Sequence, residues 1–99
     1  RTQRLDLSKM GLTQIPPEVL HLSGLRRLAL DNNLLNSLPA EIGLMTSLEE
    51  LTLFSNGLAE LPPEISKLTN LTELDIRKNE IRVVPVAVGN LSNLTILSI

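Results

Sequence analysis

His21 is the only histidine in the chain, and there is no cysteine. Protein zinc sites draw three or four ligands from His, Cys and carboxylates, and a single imidazole without thiolates cannot supply the usual set. The absence of cysteine also excludes a disulfide framework. No Ser/His/Asp arrangement is visible, and no glycine-rich loop is spaced to cradle a phosphate. His21 therefore reads as a surface residue rather than a base or a ligand. No catalytic residue, metal ligand or cofactor site is expected. The chemistry open to the remaining polar groups is noncovalent recognition.

Three Asn-x-Ser/Thr acceptors occur, at Asn70, Asn90 and Asn93. They would suit glycosylation in a secreted protein. Nine basic and eleven acidic residues leave a net charge of −2, too near balance to make nucleic acid or an anionic membrane the default partner. The apolar runs are only a few residues long, well short of the ~20 that span a bilayer. No signal-peptide pattern follows Arg1. Apolar residues make up 42% of the chain, yet Phe54 is its one aromatic residue. A core without aromatic bulk implies many similar sites filled by similar aliphatic side chains.

Those sites recur every 23 residues. One series runs Leu25, Leu48, Leu71, Leu94, and another Leu5, Leu28, Leu51, Leu74, Leu97. Leu7, Leu30, Leu53, Ile76 and Ile99 form a third, followed by Leu12, Leu35, Leu58 and Ile81. Ile15, Leu38, Leu61 and Val84 precede a proline series at Pro16, Pro39, Pro62 and Pro85. Val19, Ile42, Ile65 and Val88, then Leu22, Met45, Leu68 and Leu91, complete the unit without an indel. Leu-x-Leu puts both leucines on one face of a strand. The later spacings of four and three, as in Leu38, Ile42 and Met45, fit one or two helical or 3₁₀ turns with a single buried stripe. Proline opens that arm at little cost, since the first turn needs no amide donor there. One unit cannot bury its own stripe, so neighbours must stack.

The unit reads L-x-x-L-x-L-x-x-N-x-L-x-x-L-P-x-x-I-x-x-L-x-x and resembles the leucine-rich-repeat family. More narrowly, it is similar to the 23-residue L-P-x-x-I subclass found in intracellular signalling scaffolds. The resemblance implies an α/β fold, a right-handed solenoid with a parallel β-sheet on its concave face and short helical or 3₁₀ turns on its convex face. It also implies that Asn33, Asn56 and Asn79 form a ladder satisfying backbone groups of adjacent turns. Met10 stands where the first unit would carry that asparagine. One repeat domain over residues 1–99 is expected, with units 2–24, 25–47, 48–70, 71–93 and a partial 94–99. Neither end shows a polar cap, so a segment of a longer array, or self-association through the ends, is expected.

Residues 23 apart become lateral neighbours once the strands pair. Five columns are then expected on the concave face. They begin with Gln3, Arg26, Glu49, Thr72 and with Arg4, Arg27, Glu50, Glu73. The others run Asp6, Ala29, Thr52, Asp75, then Ser8, Asp31, Phe54, Arg77, then Lys9, Asn32, Ser55, Lys78. Arg26 should abut Glu49, and Arg27 should abut Glu50; as exposed pairs these set register more than stability. Glu50 beside Glu73, with Asp75 near, is a like-charge arrangement that a basic partner would relieve. Phe54 on such a face is a contact candidate, although a single exposed Phe is ordinary. Arg77 and Lys78 are placed to grip a partner carboxylate.

The expected function is a noncatalytic module in the cytoplasm that binds a partner protein. Its contacts are expected at Arg27, Glu49, Glu50, Thr52, Phe54, Glu73, Asp75 and Arg77. By resemblance, the partner would belong to a small-GTPase, phosphatase or cell-polarity assembly. Two alternatives stand beside this reading. One is the targeting or regulatory segment of a larger kinase, cyclase, phosphatase or ubiquitin ligase. The other is an extracellular recognition domain, disfavoured by the missing cysteines.

Overall fold

The computed structural model describes residues 3–99. Five strands form one parallel sheet in chain order: β1 (Arg4–Asp6), β2 (Arg27–Ala29), β3 (Glu50–Thr52), β4 (Glu73–Asp75) and β5 (Ile96–Ser98). The register repeats without slippage. Leu5 sits opposite Leu28, Leu28 opposite Leu51, Leu51 opposite Leu74, and Leu74 opposite Leu97. Backbone pairing continues beyond these short strands, as in Leu30 N–H to the Thr52 carbonyl at 2.9 Å and Asn32 N–H to the Phe54 carbonyl at 2.8 Å.

The return arms are 3₁₀ turns: η1 (Val19–His21), η2 (Ala40–Leu44), η3 (Pro63–Lys67) and η4 (Val86–Asn90). Pro39, Pro62 and Pro85 sit just before their turns in extended backbone. Their carbonyls accept the N–H of Ile42, Ile65 and Val88 at 3.0–3.1 Å, so the ring's missing donor is never needed. Parallel strands can approach to ~4.8 Å, whereas side-chain-bearing turns need more room, so the stack curves with the sheet on its inner side.

Leucines from the two sides meet between sheet and turns. Leu28, Leu30, Leu35, Ile42, Met45, Leu48, Leu51, Leu53, Leu58, Ile65, Leu68 and Leu71 are all almost fully buried. The first unit departs from the periodic stripe. Leu22 is 44% exposed, whereas Leu20, outside that stripe, is 6% exposed. Turn η1 is two residues shorter than the others and is preceded by Glu18 rather than proline. Leu22 lies on the first face of the stack beside Leu5 and Leu25, covered from one side, while Leu20 turns toward Ser37 and Pro39 of the next unit. Gly43 occupies the Leu20 position one unit later. A Cβ there would lie 3.1 Å from the Glu64 carbonyl, so glycine lets η2 and η3 close together.

One expected column does not continue the sheet face. Lys9, Asn32, Ser55 and Lys78 have φ of 60°, 57°, 58° and 56°. That left-handed conformation costs a non-glycine residue roughly 1 kcal/mol, and here it turns the chain out of the strand at each rung. The four residues mark the corner at which each rung leaves the sheet, while Lys9, Asn32 and Ser55 still donate their backbone N–H groups to the next rung.

Candidate strand-face interaction site

Along β1 to β4 the middle leucine packs into the core, so the residues on either side of it point outward together; Leu97 of β5, on the last face of the stack, is 38% exposed. The first outward row contains Arg4, Arg27, Glu50 and Glu73 in direct register. Arg27 Nε lies 3.2 Å from Glu50 Oε2, and Arg26 Nη1 lies 3.7 Å from Glu49 Oε2. All four side chains are at least a third exposed, which limits each pair to about 0–1 kcal/mol. Arg4 and Glu73, on either side of the central pair, have no ion pair among the described residues, and Ile96, 49% exposed, continues the row on β5.

The second part of the face is engaged with itself. Asp75 is 9% exposed and accepts a forked pair of bonds from Arg77, Nε at 3.0 Å and Nη2 at 2.8 Å. It also accepts the Arg77 backbone N–H at 3.1 Å. The Arg77 side-chain bonds hold the Asp75 carboxyl below the ordinary aspartate range, against the opposing effect of its burial. The Arg77 guanidinium lies 5.2 Å from the centre of the Phe54 ring, within cation–π reach. Arg77 therefore spends its fork inside the molecule rather than holding it open for a partner carboxylate, and it covers part of Phe54. Asp31 ties the neighbouring strand in. Its Oδ1 accepts Phe54 N–H at 2.8 Å, its Oδ2 accepts the Thr52 hydroxyl at 3.4 Å, and its own N–H donates to Ser8 Oγ at 3.1 Å. Asp6 is likewise held locally, accepting Ser8 N–H at 3.0 Å, a bond that lowers its pKa.

Behind the face lies the framework that fixes it. Asn33 Oδ1 accepts the N–H of Met10 and Leu12, both at 3.0 Å, while its Nδ2 donates to the carbonyls of Leu7 and Leu30. Asn56 repeats this toward Leu35 N–H and the Leu30 and Leu53 carbonyls. Asn79 repeats it again toward Leu58 N–H and the Leu53 and Ile76 carbonyls. Met10, at the equivalent position of the first unit, is 59% exposed and joins the ladder only through its backbone.

Several features are invisible to a motif reading. Asn70 Nδ2 donates to the Thr46 carbonyl and Asn93 Nδ2 to the Thr69 carbonyl, both at 2.8 Å, so two acceptor-sequence asparagines form a second, shorter ladder. The signal was their 23-residue spacing, obscured because Ser47 and Gly24 occupy the same position in earlier units. Thr72 and Thr95 hydroxyls donate to the preceding rung's carbonyls, at Glu49 and Thr72. Ala29 is the smallest residue of its row and floors a depression of about 180 Å³ among Arg4, Arg27, Glu50 and Thr52. A second depression of about 200 Å³ lies among Gln3, Arg4, Arg26, Arg27 and Glu49. Among the described residues no group of three or more His, Cys, Asp or Glu converges as metal ligands, and no helix is long and apolar enough to cross a membrane. His21 is exposed at the end of η1 and lines a depression on the first face of the stack with Gln3, Arg4 and Leu5.

Comparison with known proteins agrees with this architecture. A family model described as leucine rich repeat matches residues 1–58 and 46–99, which together cover the chain. A leucine-rich-repeat protein of Leptospira interrogans superposes with a TM-score of 0.86 at 36% identity, over 96% of this chain and 30% of that one. The leucine-rich repeat domain of the type III effector XopL superposes with a TM-score of 0.85 at 31% identity, over 97% of this chain and 36% of that one. The chain thus spans about a third of the length of each. No curated protein matches.

Proposed function

Because the chain belongs to the leucine-rich-repeat family, we propose that it is a noncatalytic recognition module whose protein partner lies across the exposed strand face. One observation carries the reading. The buried positions repeat nearly the same residue at every rung, whereas the outward row changes from Arg4 and Arg27 to Glu50 and Glu73 at identical backbone geometry. Burial constrains the first set; the second is free of that constraint and available to a partner. The unbroken 23-residue register also supports placing the chain in the L-P-x-x-I subclass. Within that subclass, a cytoplasmic signalling partner, such as a small-GTPase or phosphatase complex, is the natural candidate. Engagement of the Asn70 and Asn93 amides in backbone bonds favours this over an extracellular glycoprotein.

Affinity capture from cytosolic extract, with wild type and Glu50→Lys compared, tests the proposal. A captured protein that is lost with the variant at unchanged thermal stability supports it. A captured set identical for both proteins contradicts it. A second reading, a targeting segment within a longer protein, draws support from the fraction of each solved relative that the chain covers. Under that reading the strand face keeps the same role, and any activity belongs to flanking sequence.

A further inference from the structure

The geometry points to a specific ligand for the strand face: an extended peptide carrying one acidic and one basic residue four positions apart. This inference rests on the strand-face reading above and narrows it. The outward row has Arg4 and Arg27 on β1 and β2, then Glu50 and Glu73 on β3 and β4. The central two satisfy each other at 3.2 Å, so among the row's four charged members a closed pair is flanked by Arg4 on one side and Glu73 on the other, with the half-exposed, apolar Ile96 following on β5. Three neighbouring acids bear on this pattern, and each is engaged within the molecule. Asp75 is forked by Arg77, Asp31 accepts bonds from Phe54 and Thr52, and Asp6, beside Arg4 on β1, accepts the Ser8 N–H. Glu49 in the adjacent row is paired with Arg26.

The spacing sets the ligand. Three strand intervals of ~4.8 Å separate the Arg4 and Glu73 backbones by about 14 Å, and four residues of extended chain at ~3.3 Å each span about 13 Å. The depression floored by Ala29 has Arg4 and Arg27 on one side and Glu50 and Thr52 on the other; Glu50 is paired with Arg27, so the Arg4 flank gives the acidic side chain its seat. Glu73 receives the basic side chain at the other end. A ligand with two acids would meet Glu73 as a like charge, and one with two bases would meet Arg4, so the mixed pair is selected partly by repulsion of the alternatives. The row distinguishes the charges and their separation. Either chain direction satisfies it.

The experiment is selection from a phage-displayed library of random twelve-residue peptides on immobilised protein, in parallel on wild type and Glu73→Lys. Wild type should enrich acidic and basic residues four apart at least threefold over other separations. Glu73→Lys should shift the enrichment to two acidic residues at that separation, and raised salt should weaken both sets. Binders are then located by amide chemical shifts on the labelled protein. Peptides that move Arg27, Ala29 and Glu73 amides without any charge-pair preference would overturn the ligand and leave the strand face standing. Peptides that move only amides of the return arms, or recovery of no peptide, would overturn both. Equal enrichment on wild type and Glu73→Lys would overturn the ligand, since Glu73 would then have no part in selection.

Discussion

Two columns of this molecule run through the same rungs with the same 23-residue spacing and have opposite chemical histories. In one, Asn33, Asn56 and Asn79 repeat a single side chain, each bonding backbone of its own unit and of the unit before. In the other, Arg4, Arg27, Glu50 and Glu73 occupy equivalent backbone positions with no common charge. The difference is water. A buried carbonyl or N–H left unpaired costs about 1–3 kcal/mol, so a position that satisfies several of them tolerates one solution. An exposed charge pair is worth about 0–1 kcal/mol, so the outer row is nearly free to follow a partner. Repetition marks the framework, and variation at fixed geometry marks the surface on which the proposed partner would be read.

The comparison breaks if framework substitutions are mild. Leu51 is fully buried between neighbouring rungs, and Leu51→Ala should destabilise the fold by about 3–5 kcal/mol in chemical denaturation. Asn56→Ala should cost about 2–4 kcal/mol, because it strands Leu35 N–H and weakens two carbonyls at once. Gly43→Ala should cost about 1–2 kcal/mol, since its Cβ would press on the Glu64 carbonyl and part η2 from η3.

Asp75 sharpens the comparison, because it sits on the outer face yet behaves as framework. Its folded carboxyl binds a proton more weakly than in the unfolded chain, where the ordinary value is about 3.9. Between those two values the unfolded state holds the extra proton, so stability rises with pH. The contribution is fully present above about pH 4–5 and fades as pH falls through the lower, folded value. Asp75→Asn should therefore flatten the acid limb of a stability profile and cost about 1–2 kcal/mol at neutral pH. The smallest expected effect is that of Glu50→Lys, within about 0.5–1 kcal/mol of wild type, because only the exposed pair with Arg27 is lost.

Most of the scaffold was legible from the sequence because it is periodic. Leu28, Leu51 and Leu74 announce the strands, and Pro39, Pro62 and Pro85 announce the returns. What periodicity hides is the departure within a rung. Leu20 is buried and Leu22 exposed because Leu22 lies on the first face of the stack while Leu20 turns toward the next unit, a property of one unit that no column average records. Lys9, Asn32, Ser55 and Lys78 span three residue types and include no glycine, so their common left-handed backbone has no plain sequence signature. On the candidate site, Asp75 and Arg77 are two apart and Arg77 and Phe54 are 23 apart, so their proximity followed from strand geometry. Their engagement with one another needed coordinates, and it changes their part in the face. Arg4, absent from the expected contacts, emerges as the unpaired cation only once Arg27 is seen committed to Glu50.

The most direct test measures thermal stability and partner retention together on Asn56→Ala and Glu50→Lys. The account predicts a double dissociation. Asn56→Ala loses on the order of 10 °C in thermal midpoint, while its folded form retains the captured protein at temperatures well below that midpoint. Glu50→Lys keeps the midpoint within a few degrees and releases the captured protein. An Asn56→Ala protein as stable as wild type, or a Glu50→Lys protein that binds undiminished, would contradict the division between framework and recognition columns.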